Sequence, residues 1–175
     1  MTPGKGLFFG KSTNREVMIY LDTNWAGSIT DRRSTSGYCT MVWGNLTTWR
    51  SKKQSVVARS STEAEFRAMA HGICEGLWVK RVLSELRLYL EESISMFCDN
   101  KATISIAKNP VHHDRTKHIE IDRHFIKEKI DCSILKLFYI PTEQQATDIL
   151  TKALPRNKFE ELCSKLGMIN IYNLA

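Results

Sequence analysis

Val17-Met18-Ile19-Tyr20-Leu21-Asp22 is the stretch that decides the fold, because it is a short apolar run that ends on a carboxylate. An uninterrupted apolar run of this length favours a strand that is buried on both faces over a strand with one solvated face. The carboxyl ends of such strands are where ligand sites gather in α/β sheets. The stretch therefore predicts a central strand and, at its end, a candidate functional residue, Asp22.

Strand and helix patterns alternate along the rest of the chain. Residues 37–43 and 47–50 predict a second and a third strand, with a hairpin turn at Gly44-Asn45. Residues 93–98 form another apolar run, which ends directly before Asp99. The other predicted elements are a strand at residues 134–140 and helices at residues 60–86, 101–108, 116–130, 142–154 and 158–166, the helix at 142–154 beginning with a capping box, Thr142-x-x-Gln145. This order predicts an α/β fold whose mixed five-stranded sheet has three antiparallel strands, then two parallel ones, flanked by helices.

Length and composition indicate one globular domain. The chain has 175 residues, of which 42% are hydrophobic, which suffices for one core. Residues 1–15 are rich in Gly, Lys and Ser without periodicity and are interpreted as a lead-in left from an upstream connection. We assign residues 16–155 to the domain and residues 156–175 to a C-terminal helical extension.

Charge and cysteine usage narrow the class of partner and the compartment. The net charge of +6 favours a polyanionic partner, because Lys and Arg gain free energy by displacing counterions from phosphates. The five cysteines are widely spaced and form no C-x-x-C pair, which indicates reduced, mostly core-filling thiols. No apolar run approaches the roughly 20 residues of a membrane span, and no signal-peptide core is present. We expect a protein that is neither membrane-bound nor secreted and that needs no small-molecule cofactor.

Asp22 and Asp99 each follow a predicted apolar strand. If these two strands are parallel neighbours, their carboxylates meet at the same edge of the sheet. Adjacent carboxylates raise one another's pKa unless a cation lies between them, and Mg²⁺ prefers such oxygen ligands. The alternative is that both are turn residues at the ends of strands.

The segment that opens the long helix, Ser60-Ser61-Thr62-Glu63-Ala64-Glu65-Phe66, contains two glutamates with different predicted roles. Ser60-x-x-Glu63 is a capping box, so Glu63 is expected to fold back onto the helix terminus. Glu65 remains available at the edge of the buried face. The alternative is that both glutamates only complement the helix dipole.

Asp148 carries no functional signal in its own pattern. On a helical wheel it points away from the apolar residues Ala146, Ile149, Leu150 and Ala153, which predicts a solvated charge.

Taken together, several ordered phrases resemble the ribonuclease H of copia-type (Pseudoviridae) LTR retrotransposon Pol polyproteins, from about Pro3 to Asn170. The phrases that carry the resemblance are Asp22-Thr23-Asn24-Trp25-Ala26-Gly27, Asp31-Arg32-Arg33-Ser34-Thr35-Ser36-Gly37-Tyr38, Trp49-Arg50-Ser51-Lys52-Lys53-Gln54, Ser60-Ser61-Thr62-Glu63-Ala64-Glu65-Phe66, Cys98-Asp99-Asn100, Arg115-Thr116-Lys117-His118-Ile119 and Ala146-Thr147-Asp148-Ile149-Leu150-Thr151-Lys152. Such a series in one order implies a ribonuclease H-like fold.

The resemblance implies an endonuclease that hydrolyses the RNA strand of RNA–DNA hybrids during retrotransposon reverse transcription. The family's metal-binding acids fall on Asp22, Glu65, Asp99 and Asp148, all of which are present. They imply catalysis by two Mg²⁺ ions, with Mn²⁺ as a substitute and Asp22 bridging both ions. The implied partners are the hybrid and the reverse transcriptase domain of the same polyprotein, in cytoplasmic virus-like particles, with the nucleus as a second location.

The chain departs from the family's usual pattern at a few places. Asn24 stands where many relatives have Asp, Phe66 stands where Tyr is usual, and Thr147 interrupts a common Ala-Asp pair. Residues 139–145 lack the loop histidine of cellular ribonucleases H, as is usual in the copia group. None of these departures removes a metal ligand.

Substrate contacts are expected from two kinds of side chain. A ribonuclease H recognises 2′-hydroxyls in the minor groove with short polar groups and recognises phosphates with cations. The polar candidates are Gln54, Ser61, Thr62 and Asn100, and the basic candidates are Lys52, Lys53, Arg115, Lys117 and His118. Alternatively, Lys52-Lys53 is a solvated loop pair and residues 115–118 only cap a helix. We assign the four tryptophans, Trp25, Trp43, Trp49 and Trp78, to packing.

Two rival functions remain at this stage. One is a non-catalytic nucleic-acid-binding or polyprotein-folding module derived from such a domain, against which the intact set of acids argues. The other is an integrase or junction resolvase, which has a related fold with acids in comparable places. The phrases at residues 60–65 and 115–119 argue against the second rival.

Overall fold

The computed structural model describes residues 4–108 and 117–173. In chain order its elements are β1 (Lys5–Leu7), β2 (Val17–Asn24), β3 (Thr35–Val42), β4 (Asn45–Lys53), α1 (Ser61–Glu85), β5 (Ile94–Cys98), α2 (Lys101–Lys108), α3 (Lys117–Asp131), β6 (Leu135–Tyr139), a 3-10 turn (Thr142–Gln144), α4 (Asp148–Thr151), α5 (Arg156–Lys165), β7 (Met168–Asn170) and a second 3-10 turn (Ile171–Asn173).

The main sheet has five strands in the order β4-β3-β2-β5-β6. The pairs β4-β3 and β3-β2 are antiparallel, whereas β2-β5 and β5-β6 are parallel. Apolar side chains of β2, such as Ile19 and Leu21, are fully buried, as expected for a central strand. The predicted α/β fold with three antiparallel and two parallel strands is confirmed.

The hairpin between β3 and β4 turns one residue earlier than predicted. Val42 pairs with Asn45, so the two loop residues are Trp43 and Gly44, with φ of 54° and 77°. A two-residue turn with both φ values positive matches the twist of the flanking strands. Asn45 belongs to β4, and its side chain binds the backbone N–H and C=O of Gly10.

The long helix α1 covers one face of the sheet, with α3 packed beside it. Phe66, Met69 and Ile73 are buried and share one core cluster with Ile19 and Leu21 of β2. The apolar face of α1, which lies within the helix predicted at residues 60–86, therefore faces the sheet. It fixes the rotation of α1, and with it the direction of every polar residue in its first turn.

The prediction of one continuous helix over residues 142–154 is wrong. This segment is a 3-10 turn followed by the four-residue helix α4, and Thr142 and Gln145 form no capping box. Gln145 is fully buried and donates from Nε2 to the carbonyl of Leu21 at 2.9 Å. The Thr142 hydroxyl donates to Asp99 Oδ2 at 2.9 Å. Because the side chains of Thr142 and Gln145 make these tertiary hydrogen bonds, they do not form the predicted capping box.

A second, two-stranded sheet pairs β1 with β7 in antiparallel register. The sequence predicts a lead-in without periodicity over residues 1–15, and β1 differs from that expectation. Since the partner of β1 is β7, which follows the last helix in the chain, no local pattern marks β1. The helix predicted at residues 158–166 is present as α5. The proposed domain boundaries stay predictions.

The cysteines are reduced, as the sequence predicted. All five cysteines are free, with Cys39, Cys98 and Cys163 buried, and burial raises the pKa of the Cys39 thiol to about 12.

The assignment of the tryptophans to packing is wrong for Trp25, Trp49 and Trp78, which are about half exposed. Within the described residues, no helix is long and apolar enough to cross a membrane.

Candidate metal centre

Three carboxylates meet at the carboxyl end of the two central parallel strands. Asp22 lies near the end of β2, Asp99 follows β5, and Glu65 lies in the first turns of α1. One oxygen of each lies within 4.8 Å of the others. Because β2 and β5 are parallel neighbours, the ends of these two strands bring Asp22 and Asp99 together, as the sequence predicted.

Burial makes this cluster electrostatically unfavourable on its own. Asp22 and Glu65 are 2% and 5% exposed. The pKa of Glu65 is raised well above its ordinary value, first by burial and then by the charges of Asp22 and Asp99. The Cys98 thiol, whose pKa is raised by burial and by Glu65, stays protonated and donates to Glu65 Oε2. A cation among the three oxygens would relieve the repulsion, and carboxylate oxygens are the donors that Mg²⁺ prefers.

Asp148, the fourth expected ligand, is not part of this group. It is the first residue of α4 and is 5% exposed, so the solvated charge predicted from the helical wheel is wrong. Burial raises its pKa, and a hydrogen bond from Lys152 opposes that rise. The wheel failed because it assumed one continuous helix across residues 142–154.

Lys152 and Thr151 are site residues that sequence reasoning missed. The Lys152 ammonium lies 3.1 Å from Asp22 Oδ1 and 2.8 Å from Asp148 Oδ1. The Thr151 hydroxyl donates a hydrogen bond to Asp22 Oδ2. Both oxygens of Asp22 are therefore engaged by consecutive residues at the end of α4. The one available signal was the spacing of Asp148 and Lys152, which places opposite charges one helical turn apart.

Two residues on neighbouring strands hold α4 against the sheet. A Cβ at Gly37 would lie 2.7 Å from Thr151 Cγ2 and 3.0 Å from Leu150 Cβ, so only glycine allows this approach. The Asn24 side chain donates to the carbonyl of Thr151 at 3.3 Å. The departure at Asn24 from the family's usual aspartate thus has a structural role here, because an ionised aspartate has no proton to donate.

Glu63 takes the capping role that the sequence predicted. Its backbone N–H donates to Ser60 Oγ at 3.1 Å, and its Oε2 accepts from the backbone N–H of Arg59 at 2.7 Å. Its other oxygen is 2.6 Å from Arg67 Nη2. All of these contacts hold the Glu63 carboxylate at the start of α1, whereas Glu65 faces the cluster.

The polar substrate candidates have mixed surroundings. Asn100 lines the cleft with the three carboxylates and accepts from the Thr103 N–H at 3.0 Å, which caps α2. Gln54 is engaged structurally, because its Nε2 donates to Ser36 Oγ at 2.7 Å and to the carbonyl of Ala64 at 2.9 Å. Ser61 is exposed and Thr62 is half-buried at the start of α1.

The basic candidates Lys52 and Lys53 are exposed at the end of β4. Lys53 pairs with Asp31 at 3.4 Å. A hydrogen bond from Ser28, together with the N–H of Arg33 and the charge of Lys53, lowers the pKa of Asp31 to about 2. Arg115 lies outside the described residues, as do the side chains of Lys117 and His118.

In the absence of divalent ions, we expect Glu65 to make the protein less stable as the pH rises. The folded-state pKa of Glu65 is raised above its ordinary value of 4.5. Its contribution to the free energy of unfolding is therefore fully present below the unfolded pKa and is lost as the pH rises through the folded pKa. Melting curves in EDTA between about pH 5 and about pH 8 test this for the wild type and Glu65→Gln. The stability advantage of Glu65→Gln should grow with pH, and parallel curves would contradict the prediction.

The order of the five strands, with acids at the ends of the central parallel pair, defines a ribonuclease H-like fold. Among solved structures, the chain superposes on LC11-RNase H1 in complex with RNA/DNA hybrid with a TM-score of 0.57 and 15% identity, over 78% of this chain and 94% of that one. At this identity the similarity establishes the fold alone.

Sequence relatives identify the family. The chain is 38% identical to the retrovirus-related Pol polyprotein from transposon RE1 of Arabidopsis thaliana, over 97% of its own length. It is 42% identical to that from transposon TNT 1-94 of Nicotiana tabacum, over 94% of its length. The chain spans 12% of each of these polyproteins. No family model matches the chain. The chain belongs to the family of copia-type retrotransposon Pol polyproteins, of which it represents one segment, and it has the fold of ribonuclease H domains.

Proposed function

We propose that this domain is an endonuclease that hydrolyses the RNA strand of RNA–DNA hybrids during retrotransposon reverse transcription. The observation that carries the proposal is the convergence of Asp22, Glu65 and Asp99 in one open cleft. A buried, mutually repelling set of carboxylates is costly for folding unless it binds cations. The chain shares the fold of LC11-RNase H1, which was solved with RNA/DNA hybrid, and this similarity supports the same reaction class.

The residues of the cleft fit divalent cations through their oxygen donors. Asp22, Glu65 and Asp99 would hold one Mg²⁺ ion, and Asp22 with Asp148 would hold a second, Mn²⁺ being a substitute. Ions bound there would activate water and stabilise the leaving 3′-oxygen. The protein itself positions the carboxylates through Gln145, Thr142 and the cap of α1, so that little rearrangement is needed when the hybrid binds.

The carboxylates line an open cleft, through which we expect a nucleic-acid strand to approach them. Asn100, Lys101 and Tyr139 line it beside the acids. Asn100 would read a 2′-hydroxyl, since its amide nitrogen donates to no other group within the described residues, and Lys101 would contact a phosphate. The exposed Ser61 at the start of α1 and the cations of β4 would extend this contact.

The family and the solved neighbour support the proposed partners. LC11-RNase H1 was solved with RNA/DNA hybrid, and the relatives of this chain are Pol polyproteins. We assign the hybrid as substrate and the reverse transcriptase domain of the same polyprotein as partner, in cytoplasmic virus-like particles or the nucleus.

A cleavage assay tests the proposal. The chain is incubated with 5′-labelled RNA–DNA hybrid, duplex RNA and duplex DNA, with Mg²⁺, Mn²⁺ or EDTA. We expect RNA-strand products with 3′-hydroxyl ends from the hybrid alone, and none in EDTA. Binding of hybrid without cleavage under any ion condition would favour a non-catalytic module.

Affinity for the hybrid is expected to depend on the cations at the end of β4. Each lysine that contacts phosphate releases counterions, so Lys52→Ala with Lys53→Ala should reduce the slope of log affinity against log salt by between about one and about two. The contribution of Lys53 should be the smaller, because it is paired with Asp31. Fluorescence anisotropy over a salt series measures the slope.

A charge-matched control uses lysines at other places on the surface. Lys80 and Lys127 lie on the later turns of α1 and α3, which lead to the beginnings of β5 and β6. The double variant Lys80→Ala with Lys127→Ala should leave the slope near the wild-type value. Equal slopes for the two double variants would mean that Lys52 and Lys53 do not touch phosphate.

A further inference from the structure

Lys152 connects the fourth carboxylate to the other three. Its single ammonium group is within hydrogen-bond distance of Asp22 in β2 and of Asp148 in α4. The Asp148 oxygens lie outside the group formed by Asp22, Glu65 and Asp99. Asp22 thus borders two positions for positive charge. One lies among Asp22, Glu65 and Asp99, and the other lies between Asp22 and Asp148, where the Lys152 ammonium sits.

The surrounding structure holds the ammonium in this position. Lys152 directly follows Thr151, whose hydroxyl binds the other oxygen of Asp22 and whose carbonyl is bound by Asn24. Gly37 lets this end of α4 approach the sheet. The ammonium lies between the two carboxylates, 3.1 Å from Asp22 Oδ1 and 2.8 Å from Asp148 Oδ1.

The ammonium is also able to leave. The Lys152 side chain is 32% exposed, whereas those of Asp22 and Asp148 are 3% and 8% exposed. Lysine has a flexible stem and a compact charge, unlike the rigid fork of arginine. Rotation of this stem moves the charge into the open cleft that Lys152 helps to line, without displacing α4.

We propose that Lys152 is a resident cation at the second metal position, which neutralises Asp22 and Asp148 until a divalent ion displaces it. The first ion binds among Asp22, Glu65 and Asp99, and a second ion binds between Asp22 and Asp148 only after the ammonium has moved away. Lys152 is thus a positioning residue that makes the second site weak. The inference rests on the metal-dependent function proposed above, but it concerns ion binding and not cleavage, so the two can fail separately.

Mn²⁺ binding tests the inference. Free Mn²⁺ is measured by its electron paramagnetic resonance signal during titration of the folded chain, without nucleic acid. We expect one tight ion and one much weaker ion in the wild type. Lys152→Met should strengthen the second site by about ten- to a hundredfold, the range that one charged hydrogen bond is worth. A second site in Lys152→Met that is no tighter than in the wild type would overturn the inference.

Three further variants separate displacement from a general effect of charge. Lys101→Met removes a cation that lines the same cleft but stacks on Tyr139 at 4.4 Å, so it should leave the second site within about threefold of wild type. Lys152→Arg keeps the charge and should keep the second site weak. Lys152→Met combined with Asp148→Asn should lose the gain, because the ion then lacks its ligand. A gain with Lys101→Met, with Lys152→Arg, or one that survives Asp148→Asn would each contradict the displacement.

Thermal stability provides a readout that is independent of titration. In EDTA, Lys152→Met leaves Asp22 and Asp148 without their counterion, so its melting temperature should fall below that of the wild type. Added Mg²⁺ should raise the melting temperature of Lys152→Met by more than that of the wild type. Equal responses to Mg²⁺ would count against the inference. If Lys152→Met does not fold in EDTA, the titration is done on Lys152→Gln, for which the same gain is expected.

Discussion

Asp22→Asn is expected to leave a folded protein whose hybrid cleavage is reduced by about 10³-fold or more, since a metal ion supplies several kcal/mol of transition-state stabilisation and each 1.36 kcal/mol is about tenfold in rate. Asp22 is shared between the group of three carboxylates and the contact with Lys152. Neutralising it therefore weakens both proposed ion positions at once. Single-turnover cleavage of labelled hybrid at saturating Mg²⁺ measures the loss.

The fold should survive this change for a specific reason. An asparagine at position 22 can still accept the hydrogen bond of Thr151, and it relieves the repulsion with Glu65. Asp131→Asn is the matched control, because Asp131 is exposed at the end of α3 and pairs with Lys127. That variant should cleave like the wild type. If Asp22→Asn has near-wild-type turnover, the proposed site is wrong.

The part of the site that the sequence could predict depends on short-range patterns. Asp22 and Asp99 follow apolar strands, so only the parallel pairing of those strands was needed to bring them together. Glu63 and Glu65 could be separated because a capping box assigns a role to one and leaves the other. The alternation of strand and helix patterns also predicted three antiparallel strands followed by two parallel ones, but it did not predict which strands are neighbours in the sheet.

The part that the sequence could not predict depends on tertiary hydrogen bonds. Gln145 reaches the carbonyl of Leu21, which ends the helical pattern and leaves α4 with only four residues. Nothing local to the segment encodes that contact. The burial of Asp148 and the position of Lys152 both depend on this contact. The helical wheel therefore predicted a surface charge for Asp148 and no role for Lys152. The resemblance to the family supplied Asp148 but said nothing of the lysine.

The two glutamates of α1 should respond oppositely to the same substitution, although only one residue separates them. Glu63→Gln keeps an oxygen for the Arg59 N–H but loses the ion pair with Arg67, whose side chain is 20% exposed. Losing this charged contact should cost about 1–3 kcal/mol of stability. Glu63 makes no contact with the other carboxylates, so cleavage at a temperature where the variant is folded should stay within about threefold of wild type.

Glu65→Gln should give the reverse result. Removing a buried charge that repels Asp22 and Asp99 should raise the stability in EDTA near neutral pH. The same change removes a ligand charge from the proposed ion position, so cleavage should fall by about 10²-fold or more. Parallel melting curves and single-turnover rates for both variants measure the two effects. Each variant controls for the other, because both exchange Glu for Gln within the first turns of one helix. If Glu65→Gln is stable and active while Glu63→Gln is inactive, then Glu63 is the metal ligand and the assignment to Glu65 is wrong.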